Sequence, residues 1–171
     1  MRIVPIAAEP EPMLAPDIVW DGVMGDYSIA GTDEVGNAGG LRAKAGLATA
    51  VTIALMTDAA ADPSELRDGD VQRGWPGDSI PIDGDARPLG SKLWLLRRRA
   101  IDEVETPRLA EDYARAALQG LIDDGAVAAF EIAATAEPAA RRVTLKVVGT
   151  DRDGERVVDA QYAVLWAQVR S

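Results

Sequence analysis

Cysteine and histidine are both missing from this 171-residue chain. Without cysteine there is no disulfide and no thiolate metal site. Without histidine the commonest general base and the commonest metal ligand are gone. Positive charge is scarce as well: 18 Lys and Arg face 28 Asp and Glu, for a net charge of −10. Such a field repels nucleic acid and anionic membrane, so neither is expected as a partner. No apolar run reaches the ~18 residues needed to span a bilayer. The N-terminal MRIVPIAAEPEPM has one Arg and an apolar stretch broken by Pro and Glu. It does not read as a signal peptide, and a cytoplasm-like compartment is expected.

What is present suffices for one domain, since a chain near this length buries roughly 70% of its unfolded surface without staples. Residues 1–16 hold Pro5, Pro10, Pro12 and Pro16 and read as an extended arm ahead of a single domain over 17–171. DIVW (17–20) and DYSI (26–29) form a β-hairpin about DGVMG. GNAGG (36–40) lacks the lysine and the spacing of a phosphate-binding loop.

Three helices are expected, at about 41–57, 90–100 and 107–124. In the first, Leu47, Val51, Ala54 and Leu55 share a face. The second, GSKLWLLRRR, is short, with Ser91 as its N-cap and three arginines at its negative end. The third starts at Thr106 as N-cap with Pro107 first in the helix, and Gly125 ends it in a left-handed cap. Its apolar stripe is Leu109, Tyr113, Ala117, Leu118, Leu121 and Ile122, with Glu111 and Arg115 paired on the other side.

Three strands follow, at 127–135, 142–150 and 156–166, the last two joined by a turn in which Gly154 supplies positive φ. Val143, Leu145 and Val147 alternate with Thr144 and Lys146, as in a sheet with one buried face. The fold class is therefore α+β: a hairpin, three helices, and a three-stranded antiparallel sheet packed on the long helix. TDRDGER between those strands is one acid short of a calcium loop and reads as a turn.

Charge and turn formers gather in the middle of the chain. Residues 58–85 carry eight acids and two bases, whereas 87–99 carry five bases (Arg87, Lys92, Arg97, Arg98, Arg99) and no acid. Two outcomes are open: neutralisation within one fold, or two patches of opposite sign suited to ordered assembly. The span 58–88 reads as one long loop, a feature that usually carries function or partial disorder. Within it RGWPGD (73–78) places Arg73 and Trp75, residue types enriched at interface hot spots, on a turn held by Pro76 and Gly77. Trp75 either packs back beside Trp94, capping a core edge, or stands out as an anchor. Asp123 and Asp124 sit at a helix C-terminus, where negative charge costs ~0.3–1 kcal/mol each.

Catalysis has thin support. No cofactor and no metal is expected, and a nucleophile elbow is absent. Paired carboxylates remain, as in glycoside hydrolysis. Asp78, Asp83, Asp85, Asp123, Asp124 and Glu131 qualify by type, but so many acids guarantee chance pairs.

The order GLATAVTIALMTD (46–58), RGWPGD (73–78), GSKLWLL (90–96) and AEDYARAALQGLIDDG (110–125) resembles the Mu-like phage baseplate protein family. The resemblance runs from about Asp17 to Trp166. That family is in turn similar to the small, lysozyme-like wedge proteins of contractile tails. The resemblance implies a structural wedge component of a phage or prophage baseplate. Its partners would be other wedge proteins and sheath or central spike and hub proteins. Its place would be the virion tail baseplate, after assembly in the host cytoplasm. The lysozyme label implies a cell-wall glycosidase as the alternative. Arg73, Trp75, Asp78, Arg97, Arg98, Asp123 and Asp124 are the candidate partner-binding residues. The wider wedge group carries glutamate-proline-arginine after its long helix; here Asp123-Asp124-Gly125-Ala126-Val127 keeps only the acidity.

Overall fold

The computed structural model describes residues 17–20, 25–29, 31–32, 46–79, 87–98 and 100–165; side chains are described up to Arg97 before the gap at residue 99 and up to Tyr162 at the C-terminal end. The arm at 1–16, the hairpin turn, GNAGG, the expected helix start at 41–45, Asp83, Asp85 and Trp166 lie outside these residues. The described elements run β1 (Ile18–Trp20), β2 (Gly25–Tyr27), α1 (Gly46–Met56), α2 (Glu105–Asp123), β3 (Ala129–Glu137), β4 (Arg142–Thr150) and β5 (Arg156–Leu165). The class is α+β, with two separate antiparallel sheets, β1-β2 and β3-β4-β5.

The sheet β3-β4-β5 is built from the expected alternation. Ile132, Val147 and Ala160 stand in register, as do Ala134, Leu145 and Tyr162. Val143, Leu145 and Val147 are buried while Lys146 on the opposite face is exposed. Gly154, at φ 83°, makes the β4-β5 turn. Asp151 steadies that turn by accepting the N–H groups of Asp153 and Glu155 at 3.0 and 2.9 Å.

Helix α2 lies along β3, and its buried line differs from the expected stripe. Thr106, Ala110, Ala114 and Leu118 are buried, while Leu109, Tyr113, Ala117 and Leu121 are only partly so. Alanine at the centre lets the helix approach the sheet closely, and the larger apolar residues flank that line and fill the edges. Glu111 pairs with Arg115 at 2.8 Å as expected. Its other oxygen accepts the Ala134 N–H at 3.0 Å, so the helix also satisfies a donor of the edge strand β3.

The start of α2 corrects the sequence reading. The helix begins at Glu105, and Thr106 is inside it rather than capping it. Asp102 takes the cap function: its carboxylate accepts the N–H groups of Val104 and Glu105 at 2.8 and 2.7 Å. Thr106 Oγ1 in turn accepts the Asp102 N–H at 2.8 Å. Pro107 still costs nothing, because the first four helical N–H groups have no intrahelical partner. At the other end Gly125 does adopt φ 74°, and the N–H groups of Gly125 and Ala126 bond to the carbonyls of Ile122 and Leu121.

The expected second helix is a 3₁₀ segment, Leu93–Arg98, leaving two α-helices among the described residues. The packing gives the reason. With 3.0 residues per turn, positions three apart eclipse. Leu93 and Leu96 therefore both face the main core with Val51, Leu55 and Leu118. Trp94 and Leu95 face away, into a second cluster with Ala61 and Leu66. In an α-helix the same positions would be offset by about 60° rather than eclipsed. Ser91 acts at the start of this segment, accepting the Leu93 N–H at 3.3 Å while donating to the Leu55 carbonyl at 2.6 Å.

Candidate docking surface

The span 58–79 is tied down along its length. The backbone of Asp58 runs parallel to Ser91 in an isolated bridge, with N–H···O bonds of 2.9 Å from Ala59 to Ser91 and from Ser91 to Thr57. Gly90 makes this approach feasible. It sits at φ 112°, and a Cβ there would lie 2.6 Å from the Thr57 carbonyl oxygen. Two short 3₁₀ turns, Pro63–Glu65 and Pro76–Ser79, interrupt the expected long loop. The first is closed by Asp62, whose carboxylate accepts the Ser64 hydroxyl and N–H, contacts that hold the Asp62 carboxyl below its ordinary pKa. Glu65 is likewise held low, by a hydrogen bond from Lys92 at 2.7 Å.

On this frame the two tryptophans have opposite fates. Trp94 is 5% exposed, and its indole N–H donates to the Ala59 carbonyl at 2.9 Å. The Arg73 guanidinium lies 4.8 Å from the centre of the Trp94 ring and is paired with Asp58. Arg73, expected to face a partner, thus has two contacts within its own chain. Trp75 is 45% exposed and does not become a buried core-edge residue. Its ring lies over Gly77, which it buries, and a Cβ on Gly77 would sit 1.9 Å from the ring. Pro76 starts the turn beneath it, the Asp78 N–H closes it on the Trp75 carbonyl at 3.0 Å, and Ser79 Oγ donates to the Pro76 carbonyl at 2.7 Å.

Asp78 carries the turn toward the rest of the surface, accepting the Leu89 N–H at 3.0 Å. Leu89 lines a groove of about 470 Å³ whose floor also includes Ile53, Ala117 and Leu121. At its rim Arg87 reaches Asp123 at 3.0 Å and Asp124 at 3.8 Å, and donates weakly to the Gly120 carbonyl at 3.5 Å. Arg87 therefore answers both the aspartates and the negative helix end, and relieves the cost foreseen for them. The basic segment neutralises acids inside the fold, through Arg87 and through Lys92 on Glu65.

Of the candidate residues, Arg73, Trp75 and Asp78 share one turn. Asp123 and Asp124 lie at the groove rim, linked to that turn through Arg87–Leu89. Arg97 is exposed at the end of the 3₁₀ segment, and the Arg98 side chain lies outside the described residues. The sequence reading missed Gly77 as a seat for the ring and the roles of Arg87 and Gly90. The only signals were a glycine two residues after Trp75, another before Ser91, and the first base after an acidic run. Three of the acids weighed as paired carboxylates are described in other contacts or settings. Asp78 holds a backbone N–H, Asp123 holds Arg87, and Glu131 is exposed on a strand.

The model of the family described as Phage protein GP46 matches residues 47–156, a span that holds the Trp75 turn, the Gly90 bridge and the whole of α2. The chain belongs to this family of Mu-like phage baseplate proteins. It is 39% identical over 119 residues to the Baseplate protein gp46 of Escherichia phage Mu, covering 68% of this chain and 74% of that one. It is 35% identical over 92 residues to the Mu-like prophage FluMu protein gp46 of Haemophilus influenzae, covering 52% of this chain and 57% of that one.

Proposed function

We propose that this protein is a structural component of a contractile phage or prophage tail baseplate, of the wedge type, acting through protein–protein contacts. Its partners are neighbouring wedge proteins and the sheath or central spike and hub proteins, and it is built into the virion tail after folding in the host cytoplasm. The exposed, turn-mounted Trp75 in a chain of this family is the observation that carries the reading. Large aromatic residues at the centre of an interface commonly supply ~2 kcal/mol or more of binding. Asp78, Asp123 and Asp124 supply polar groups about the turn and the adjoining groove, and Arg97 and Arg98 are further proposed contacts; such groups fix register and orientation more than affinity.

The test is removal of the gene from its phage or prophage and examination of the tails. Absence of complete baseplates, restored by the wild-type chain in trans, is the expected result. Normal, contractile tails without the protein would overturn the reading. Purified protein is expected to release no reducing ends from peptidoglycan above buffer. Release abolished by a single acid-to-amide change would make it a glycosidase instead.

A further inference from the structure

We propose that Gly77 is the positioning residue of the docking turn: it holds the Trp75 ring outward, so that one face rests on the turn and the other is offered to a basic surface of a neighbouring subunit. This rests on the docking role proposed for Trp75. Gly77 is buried by the Trp75 ring, and its φ is not positive, so the backbone itself would accept alanine. A side chain there would push the ring off the turn. A Cβ at Gly77 would lie 1.9, 2.0 and 2.4 Å from three ring carbons of Trp75, contacts that real atoms do not make. Gly74, by contrast, is needed for its backbone, at φ 131° and with Ala60 3.2 Å from a Cβ there. The two glycines of R-G-W-P-G therefore do different jobs. Gly74 shapes the turn, and Gly77 seats the ring.

Seating the ring on a glycine removes rotamer freedom before binding, which is where rigid aromatic anchors gain affinity. It also leaves one π face open, and such a face attracts cations. The chain already makes this contact internally, with Arg73 over Trp94. Charge selects the kind of partner. The described residues 58–79 hold six acids (Asp58, Asp62, Glu65, Asp68, Asp70 and Asp78) against Arg67 and Arg73, and with Lys92 paired to Glu65 the stretch still keeps three negative charges in excess. Complementarity then calls for a basic protein surface presenting Arg or Lys to Trp75.

Three readings on the full chain test this. Emission assigned to Trp75, as the difference between wild type and Trp75→Phe, is quenched more strongly by caesium than by iodide, each taken relative to its quenching of a free neutral tryptophan derivative, if the ring stands in a negative field. Stronger quenching by iodide overturns the basic partner. In thermal unfolding, Gly77→Ala costs stability only while Trp75 is present, and adding it to Trp75→Ala costs nothing further. An equal cost of Gly77→Ala with and without the Trp75 ring overturns the seating of the ring. In tails purified from cells carrying each variant, both Gly77→Ala and Trp75→Ala are expected at least tenfold below wild type. Loss of Trp75→Ala alone, with Gly77→Ala at the wild-type level, overturns the positioning role and leaves the docking reading standing. Both variants at the wild-type level would overturn the docking role of the turn and this inference with it.

Discussion

Trp75 lies within the acidic stretch and Trp94 just beyond it, yet Trp94 closes a cluster and Trp75 stands on the surface. Trp94 is fixed from every side: Leu95, Ala61 and Leu66 pack in its cluster, the Ala59 carbonyl takes its N–H, and Arg73 covers its face. Trp75 lies over Gly77, a residue with no side chain, and stays 45% exposed. The difference lies in what each ring can satisfy within the chain. A buried indole needs an acceptor for its N–H, and Trp94 finds one where the backbone of 57–59 is drawn beside Ser91. The Trp75 turn is built from contacts only a few residues apart, which set its shape without burying it.

The largest expected effect is on the Trp94 side of this comparison. Trp94→Ala should cost ~3–5 kcal/mol, as for other buried aromatic residues, measured by denaturant unfolding. A loss below about 1 kcal/mol would mean that the second cluster adds little to the fold. Next is Gly90→Ala, which strains both the φ of 112° and the approach to Thr57. About 1–3 kcal/mol is expected, with faster hydrogen exchange at Ala59 and Ser91; unchanged exchange would show that the bridge does not anchor the loop.

Arg87→Ala should be milder, on the order of 1 kcal/mol, because it removes the cation that faces Asp123 and Asp124 at the helix end. Adding Asp123→Asn should recover part of that loss, and no recovery would break the assignment. Trp75→Ala should then change folding stability by less than about 1 kcal/mol, as surface substitutions do. A loss approaching that of Trp94→Ala would erase the contrast between the two rings.

The smallest effect is with acid. Glu65, Asp62 and Asp102 all have lowered folded-state pKa values, from hydrogen bonds given by Lys92, Ser64, and the N–H groups of Glu105 and Val104. A depressed carboxylate pKa adds stability that is fully present above the ordinary values of 3.8 and 4.5 and is lost as pH falls through the folded pKa. Stability should therefore be flat from about pH 7 to 5 and decline only below about 4.5. A decline already complete at about pH 5 would contradict these contacts.

How much of this was legible in the sequence depended on distance along the chain. The alternation in β4, the Gly154 turn and the Gly125 cap follow from residues at most a few positions apart, and all were readable. The identity of Trp75 as the exposed ring was not, because it depends on where Trp94, Ala59 and Arg73 meet in space. The 3₁₀ winding of Leu93–Arg98 was hidden for a similar reason: LWLLRR is a good helical run, and the two clusters it packs against come together only in the fold. The cap of α2 was misplaced because Thr106-Pro107 is a strong local signal, and Asp102 overrides it with two backbone bonds. Arg87 belonged to a basic run, but its attachment to Asp123 joins segments that nothing in the sequence pairs.

The most direct test of the account is a structure of the assembled tail baseplate that resolves this protein among its neighbours. The account predicts the Trp75 ring covered by a basic residue of an adjacent subunit, with its other face still on Gly77, and Trp94 unchanged within its own chain. A baseplate holding this chain through other surfaces, with Trp75 facing solvent, would contradict it.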